Sequence, residues 1–154
     1  MSKADLAKEF FRNGANCAQS VLCAFEQECG LDHATALRLA SGFGGGMARM
    51  REVCGAVSGM FMAADLIFGP ADPSDKAAKD AHYAVLQQLA EQFRQETSSI
   101  ICGVMLGLKP GQGNEPVSSA RTDSYYKKRP CAELCALAAG ILENHLAARR
   151  GTGS

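Results

Sequence analysis

Seven cysteines fall in the 154 residues, at Cys17, Cys23, Cys29, Cys54, Cys102, Cys131 and Cys135. Thiols can ligate a metal or cluster, cycle between dithiol and disulfide, or fill a core as small hydrophobes. No Cys-x-x-Cys pair occurs, so any shared site must draw each sulfur from a separate segment. The stretch that organises the rest is Phe43-Gly44-Gly45-Gly46-Met47 followed by Cys54-Gly55-Ala56-Val57-Ser58-Gly59. Glycines on both sides of one cysteine let backbone approach backbone closely around a thiol. Cys54 is therefore the focus, and Cys17, Cys102 and Cys131 are the cysteines to be brought to it.

Helices must do that positioning. Leu6, Ala7, Phe10 and Phe11 share one face of a helix over about 4–13, which Gly14 ends. Asn16 with Gln19 makes a capping box that starts a helix running to Gly30, with Cys17 at its first position. Asp32 caps a third helix through Ala40. A fourth begins between Met47 and Cys54 and stops at Gly69-Pro70, its Gly55, Gly59 and Ala63 forming a close-packing stripe that serves an internal contact or a homodimer equally well. Asp72 as N-cap and Pro73 announce a fifth, with Ala78, Ala81, Val85, Leu89 and Phe93 as its apolar stripe. Thr97-Ser98-Ser99 caps a short sixth over 100–108, which opens near Cys102. A long loop spans 109–128, placed to cover a site, and Pro130 leads into a last helix that begins near Cys131 and continues through Leu134, Cys135, Ala138, Ile141, Leu142 and His145.

Composition agrees with an all-α, single-domain bundle of about six or seven helices over 1–150, with 151–154 as a tail or cloning remnant. The chain is 47% hydrophobic, poor in aromatics and without Trp, and large enough to bury a core with no disulfide staples. Sixteen basic and sixteen acidic residues cancel, so no net field recruits nucleic acid or an anionic membrane. The longest apolar run, 60–68, contains Asp65, and no secretory leader is evident; the expectation is a cytoplasmic protein whose cysteines stay reduced or serve redox or metal chemistry.

Cys17, Cys54, Cys102 and Cys131 each fall at or near a helix start. Unpaired N–H groups and a partial positive charge there favour thiolate over thiol, so converging ends would make an electropositive hollow for anionic sulfur. Arg49 and Arg51 before Cys54, and Lys127-Lys128-Arg129 before Cys131, either add to that field or are solvated loop charges. For Cys23, Cys29 and Cys135 plain burial is the simpler reading, with Cys135 the first exception to expect, one turn after Cys131.

Cys54-Gly55-Ala56-Val57-Ser58-Gly59, its preceding Phe43-Gly44-Gly45-Gly46-Met47 and the single Cys17, Cys102 and Cys131 resemble the family of putative redox-active proteins named for the pattern C_GCAxxG_C_C. The resemblance covers nearly the whole chain, although the core here reads Cys-Gly-Ala where the name writes Gly-Cys-Ala. It implies a small, mostly helical bacterial or archaeal protein with four functional cysteines and redox activity, and no established reaction.

Three chemistries follow. Cys17, Cys54, Cys102 and Cys131 ligate an iron–sulfur cluster for electron transfer, with N–H donors from Gly44, Gly45, Gly46, Gly55 and Gly59 near the cofactor. Or two of them cycle as a thiol–disulfide centre that needs no metal, exchanging with a redox partner protein or a small thiol or sulfur compound. Or the chain is a non-catalytic binding module whose cysteines hold structural zinc or only fill the core. An oxidoreductase and an electron-transfer protein both fit. Gly42-Phe43-Gly44 does not extend to a dinucleotide fingerprint, since Met47 holds its last position and no strand precedes it. His33, His82 and His145 lack zinc-protease or haem spacing and read as surface or packing residues.

Overall fold

A computed structural model describes residues 1–153. Its elements are α1 (Lys3–Arg12), α2 (Cys17–Ala24), α3 (Glu26–Cys29), α4 (His33–Ala40), a 3-10 turn (Ser41–Phe43), α5 (Gly55–Phe68), α6 (Lys76–Thr97), α7 (Cys102–Met105), α8 (Asp123–Lys128) and α9 (Cys131–Gly153). The fold is all-α; among the described residues the extended pairing is one isolated antiparallel bridge, Val53 to Ile101. Among the described residues no helix is long and apolar enough to cross a membrane.

α2 is the centre. Seven of its eight residues are buried, because α1, α4, α5 and α9 all pack on it. Its one buried polar side chain, Ser20, donates to the Asn16 carbonyl at 2.7 Å and so carries no unmet hydrogen-bond demand. Its start follows the sequence: Asn16 Oδ1 accepts from the Gln19 amide at 2.8 Å while Gln19 Oε1 accepts from the Asn16 amide at 2.9 Å. The glycine stripe of α5 is spent on this helix. A Cβ on Gly59 would stand 2.5 Å from the Ala18 carbonyl oxygen, and one on Gly55 would stand 3.1 Å from the Ala18 nitrogen and from Cys17 Cβ. Phe11, Val21, Leu22, Phe25, Met60 and Leu142 complete the core, each worth about 1.5–3 kcal/mol of burial.

The boundaries depart from expectation at several places, among them the short α7, which covers four residues where 100–108 were expected. The second helix is interrupted at Phe25 (φ −111°, ψ 15°), which separates α2 from α3. The cap of α6 is Asp75, whose side chain accepts from the Ala78 amide; Asp72 instead accepts from Ser74 in the turn before it. The N-terminal half of the α6 stripe is not covered: Leu86, Leu89 and Phe93 are buried, whereas Ala81 is exposed. The long loop holds a helix, α8, which Thr122 caps and whose Tyr125 and Tyr126 rings lie against Phe11. Finally, the helix of Cys131 continues through Gly151–Gly153, while Ser154 lies outside the described residues.

Candidate redox site

Cys17 and Cys131 are the first residues of α2 and α9, and Cys54 is the N-cap of α5. Cys102 opens α7, a single turn of four residues and too short to carry a helix dipole of any weight. Local structure sets each start; three separate long-range contacts bring the starts together. The bridge between Val53 and Ile101 ties Cys54 to Cys102, the Cys54 amide donating to the Ile100 carbonyl and the Cys102 amide to the Glu52 carbonyl, both at 2.7 Å. Gly55 sets Cys17 beside Cys54, because any larger residue would collide with α2. Cys135, fully buried, donates its thiol to the Cys17 carbonyl at 3.8 Å and so holds α9, with Cys131, against α2.

The four thiols line one cavity of about 390 Å³. Arg49, Arg51, Arg121 and Arg129 line the same cavity. Arg51 Nη1 donates to Cys102 Sγ at 3.6 Å, and its Nε donates to the Gly113 carbonyl at 2.8 Å. Arg49 reaches the same carbonyl, while its own Nε is buried with no partner. Arg121 stacks over Phe11, 4.5 Å from the ring centre, and donates to the Phe11 and Ala15 carbonyls. Pro116, Ser118 and Ser119, from the stretch after Gly113, also line the cavity.

The glycines divide by role. Gly44, Gly45, Gly46 and Gly55 line the cavity; Gly59 lies away from it, against Ala18 and Val21. Gly46 (φ +73°) leaves no room for a side chain, since a Cβ would stand 2.6 Å from Cys102 Cβ. From Gly45 through Arg49 every residue has positive φ, including Met47, Ala48 and Arg49, and Arg51 follows at +63°. Left-handed backbone at non-glycine residues costs about 1–2 kcal/mol each, and such strain concentrates where a site demands a shape. Here it turns the chain so that Arg49 and Arg51 both point at the cysteines' hollow.

Burial reverses the expected thiol chemistry. The Ala56 and Val57 amides do favour the Cys54 thiolate, yet desolvation outweighs them and pushes its pKa up to about 12. The Cys131 thiol pulls Cys17 down while Cys17 pushes Cys131 up, each acting as a side-chain neighbour of the other. The Cys135 side chain and burial then carry Cys17 well above the usual thiol range, and burial adds to the rise of Cys131 despite Arg129 and Arg121 nearby. Away from the cavity, desolvation and the Glu26 charge push Cys23 up to about 12, and desolvation with Glu28 pushes Cys29 to about 11; the Cys29 thiol donates to the Ala63 carbonyl at 3.7 Å.

A family model described as "Putative redox-active protein (C_GCAxxG_C_C)" matches residues 15–145, a span that holds all seven cysteines. The chain belongs to this family. No curated protein and no solved structure matches it. In this C_GCAxxG_C_C protein the cysteines Cys17, Cys54, Cys102 and Cys131 share one hollow, Cys135 stands directly behind it, and Cys23 and Cys29 lie elsewhere. Of the expected cations, Arg49, Arg51 and Arg129 face the hollow while Lys127 and Lys128 are exposed. Arg121 and Tyr125, also in the lining, were hidden from sequence reasoning by the irregular segment around them; the Thr122-Asp123 start of α8 was the signal available.

Proposed function

We propose that this protein is redox-active through an iron–sulfur cluster held by Cys17, Cys54, Cys102 and Cys131. The observation that carries the reading is the convergence of four thiols from four distant segments on one cavity that four arginines also line. The donor set fits the group in three respects. Among the described residues no three of these sulfurs lie within 4.8 Å of one another, whereas one tetrahedral zinc would hold its sulfurs roughly 3.8 Å apart; a polynuclear cluster spreads its ligands more widely. Four ligating thiolates are strongly anionic, and the arginines supply the opposite charge. The partnerless Nε of Arg49 is a donor still lacking an acceptor, as cluster sulfide would be.

When bound, the cluster would take up and return an electron. The chain's own part is to exclude water from the sulfurs, present the Ala56 and Val57 amides toward Cys54, donate a hydrogen bond from Arg51, and hold the ligands in place from α2, α5, α7 and α9. The Cys54 thiol, raised by burial, makes a poor free nucleophile, and this favours ligation, which displaces its proton, over a resting thiolate. The electron partner is a redox protein or a small sulfur compound that reaches the opening.

One pairing favours a second reading. The Cys17 and Cys131 thiols each shift the other's pKa, Cys17 downward and Cys131 upward, and both line the cavity. In that reading they join as a disulfide, giving two electrons and two protons to a disulfide-containing acceptor that leaves as two thiols.

Anaerobic purification followed by iron, sulfide, zinc and thiol analysis tests both. The cluster reading expects a coloured protein with iron and acid-labile sulfide in equal amounts, lost in Cys54→Ser with the helical circular dichroism retained. A colourless protein whose thiol count falls by two on oxidation, and by none in Cys131→Ser, replaces it with the disulfide reading. Seven thiols unchanged by oxidation, with no iron, overturns both.

A further inference from the structure

Cys23, Glu26 and His33 stand apart from the cavity, and their ligand atoms all lie within 4.8 Å of one another, the one such group of three or more among the described residues. We propose that they form a second, mononuclear metal site selective for zinc. The three come from three elements that meet at the interruption after α2: Cys23 on its last turn, Glu26 at the start of α3, and His33 at the start of α4. Sulfur, imidazole nitrogen and carboxylate oxygen together are a donor set typical of zinc, and tetrahedral bonding would hold them roughly 3.3–3.7 Å apart. Small side-chain rotations would bring Cys23 into that range and part the Glu26–His33 hydrogen bond, whose proton the metal displaces.

Each ligand is prepared for the role. Glu26 Oε2 already faces His33 Nδ1 at 2.8 Å, which aims both donors into the same space. The His33 ring is fixed by stacking on Phe10, with centroids 5.4 Å apart. Cys23 is 2% exposed and forms the floor, whereas the His33 side chain is 50% exposed and leaves the outer side open to solvent. Three protein ligands and one open position are the arrangement in which zinc keeps a water. Cys23 thiolate, Glu26 carboxylate and neutral His33 carry two negative charges, which a divalent ion neutralises.

The test uses the whole chain, reduced and stripped with chelator, titrated with zinc and separately with cobalt(II) as a spectroscopic stand-in. One equivalent should bind, with a thiolate-to-cobalt charge-transfer band. Cys23→Ser should abolish that band, His33→Gln should weaken zinc at least about tenfold, and Cys54→Ser should change neither. His33→Gln, at a half-exposed position, gives a reading even if Cys23→Ser does not fold. Zinc uptake indifferent to His33→Gln, uptake lost in Cys54→Ser, or cobalt bound without a thiolate band would overturn the site. Because none of these readouts uses iron or redox activity, the result stands or falls separately from the cluster.

Discussion

Arg51 stands over Cys102, its Nη1 3.6 Å from Sγ, while the Nε of the same guanidinium donates to the Gly113 carbonyl at 2.8 Å. One side chain thus joins a cavity thiol to the segment whose Pro116, Ser118 and Ser119 also line the cavity. Arg51→Ala should loosen that segment, raising amide exchange over 109–119 by roughly ten- to a hundredfold, as expected for losing a charged hydrogen bond of about 1.5–3 kcal/mol. Arg51→Lys should restore little, because one ammonium on a flexible stem does not reproduce the fork. Unchanged exchange in Arg51→Ala would mean that the segment is held by other contacts.

The α2–α5 contact makes a paired prediction about glycine. Gly59→Ala places a Cβ 2.5 Å from the Ala18 carbonyl and should destabilise by about 1–3 kcal/mol, a fall of roughly 2–12 °C in melting temperature. Gly140→Ala, in α9 with nothing within 4 Å, should stabilise by about 0.5–1 kcal/mol. Thermal melts of the two variants check the contrast, and equal shifts would contradict the close packing.

Cys54 sets an alkaline limit for the metal-free protein. Its folded pKa, raised to about 12, lies above the usual thiol value, so the stabilisation is complete below about pH 8.5 and is lost as pH climbs toward 12: the unfolded chain gives up the proton first. Across that window the thiol should contribute a slope of about 1.4 kcal/mol per pH unit. Urea titrations of reduced wild type and Cys54→Ser between pH 8 and 11 measure it, the variant showing the shallower fall.

Arg121 fastens α8 to α1 by donating to the Phe11 and Ala15 carbonyls and lying over the Phe11 and Tyr125 rings. Arg121→Ala should cost about 2–3 kcal/mol and diminish the near-ultraviolet tyrosine signal as Tyr125 and Tyr126 lose their fixed setting. A normal melt with an unaltered tyrosine signal would show that α8 docks without it.

Elements whose signals are local were legible in the sequence. The Asn16–Gln19 box, the Asp32 cap, the stop after Phe68 and the start at Cys131 depend on neighbours within one turn, and they stand where the residues put them. Errors came where distant contacts decided. Asp72 and Asp75 are both competent caps, and nothing within one turn separated them. The α8 helix is six residues long, too short to be stable without the Phe11 surface it docks on. Helix-start placement predicted a thiolate at Cys54, but its depth overruled that, because desolvation grows with every layer packed above a sulfur.

The residues by themselves determined an all-helical chain and put Cys17, Cys54, Cys102 and Cys131 at the starts of its elements, since caps, glycines and 3.6-residue periodicity act over a few positions. Only the tertiary structure decided that those starts share one cavity, that Arg121 joins them, and that Cys23 meets Glu26 and His33. Those meetings rest on the bridge between Val53 and Ile101, on Gly55 and Gly59 against Ala18, and on the interruption at Phe25. Each is a contact between surfaces whose fit no single segment carries.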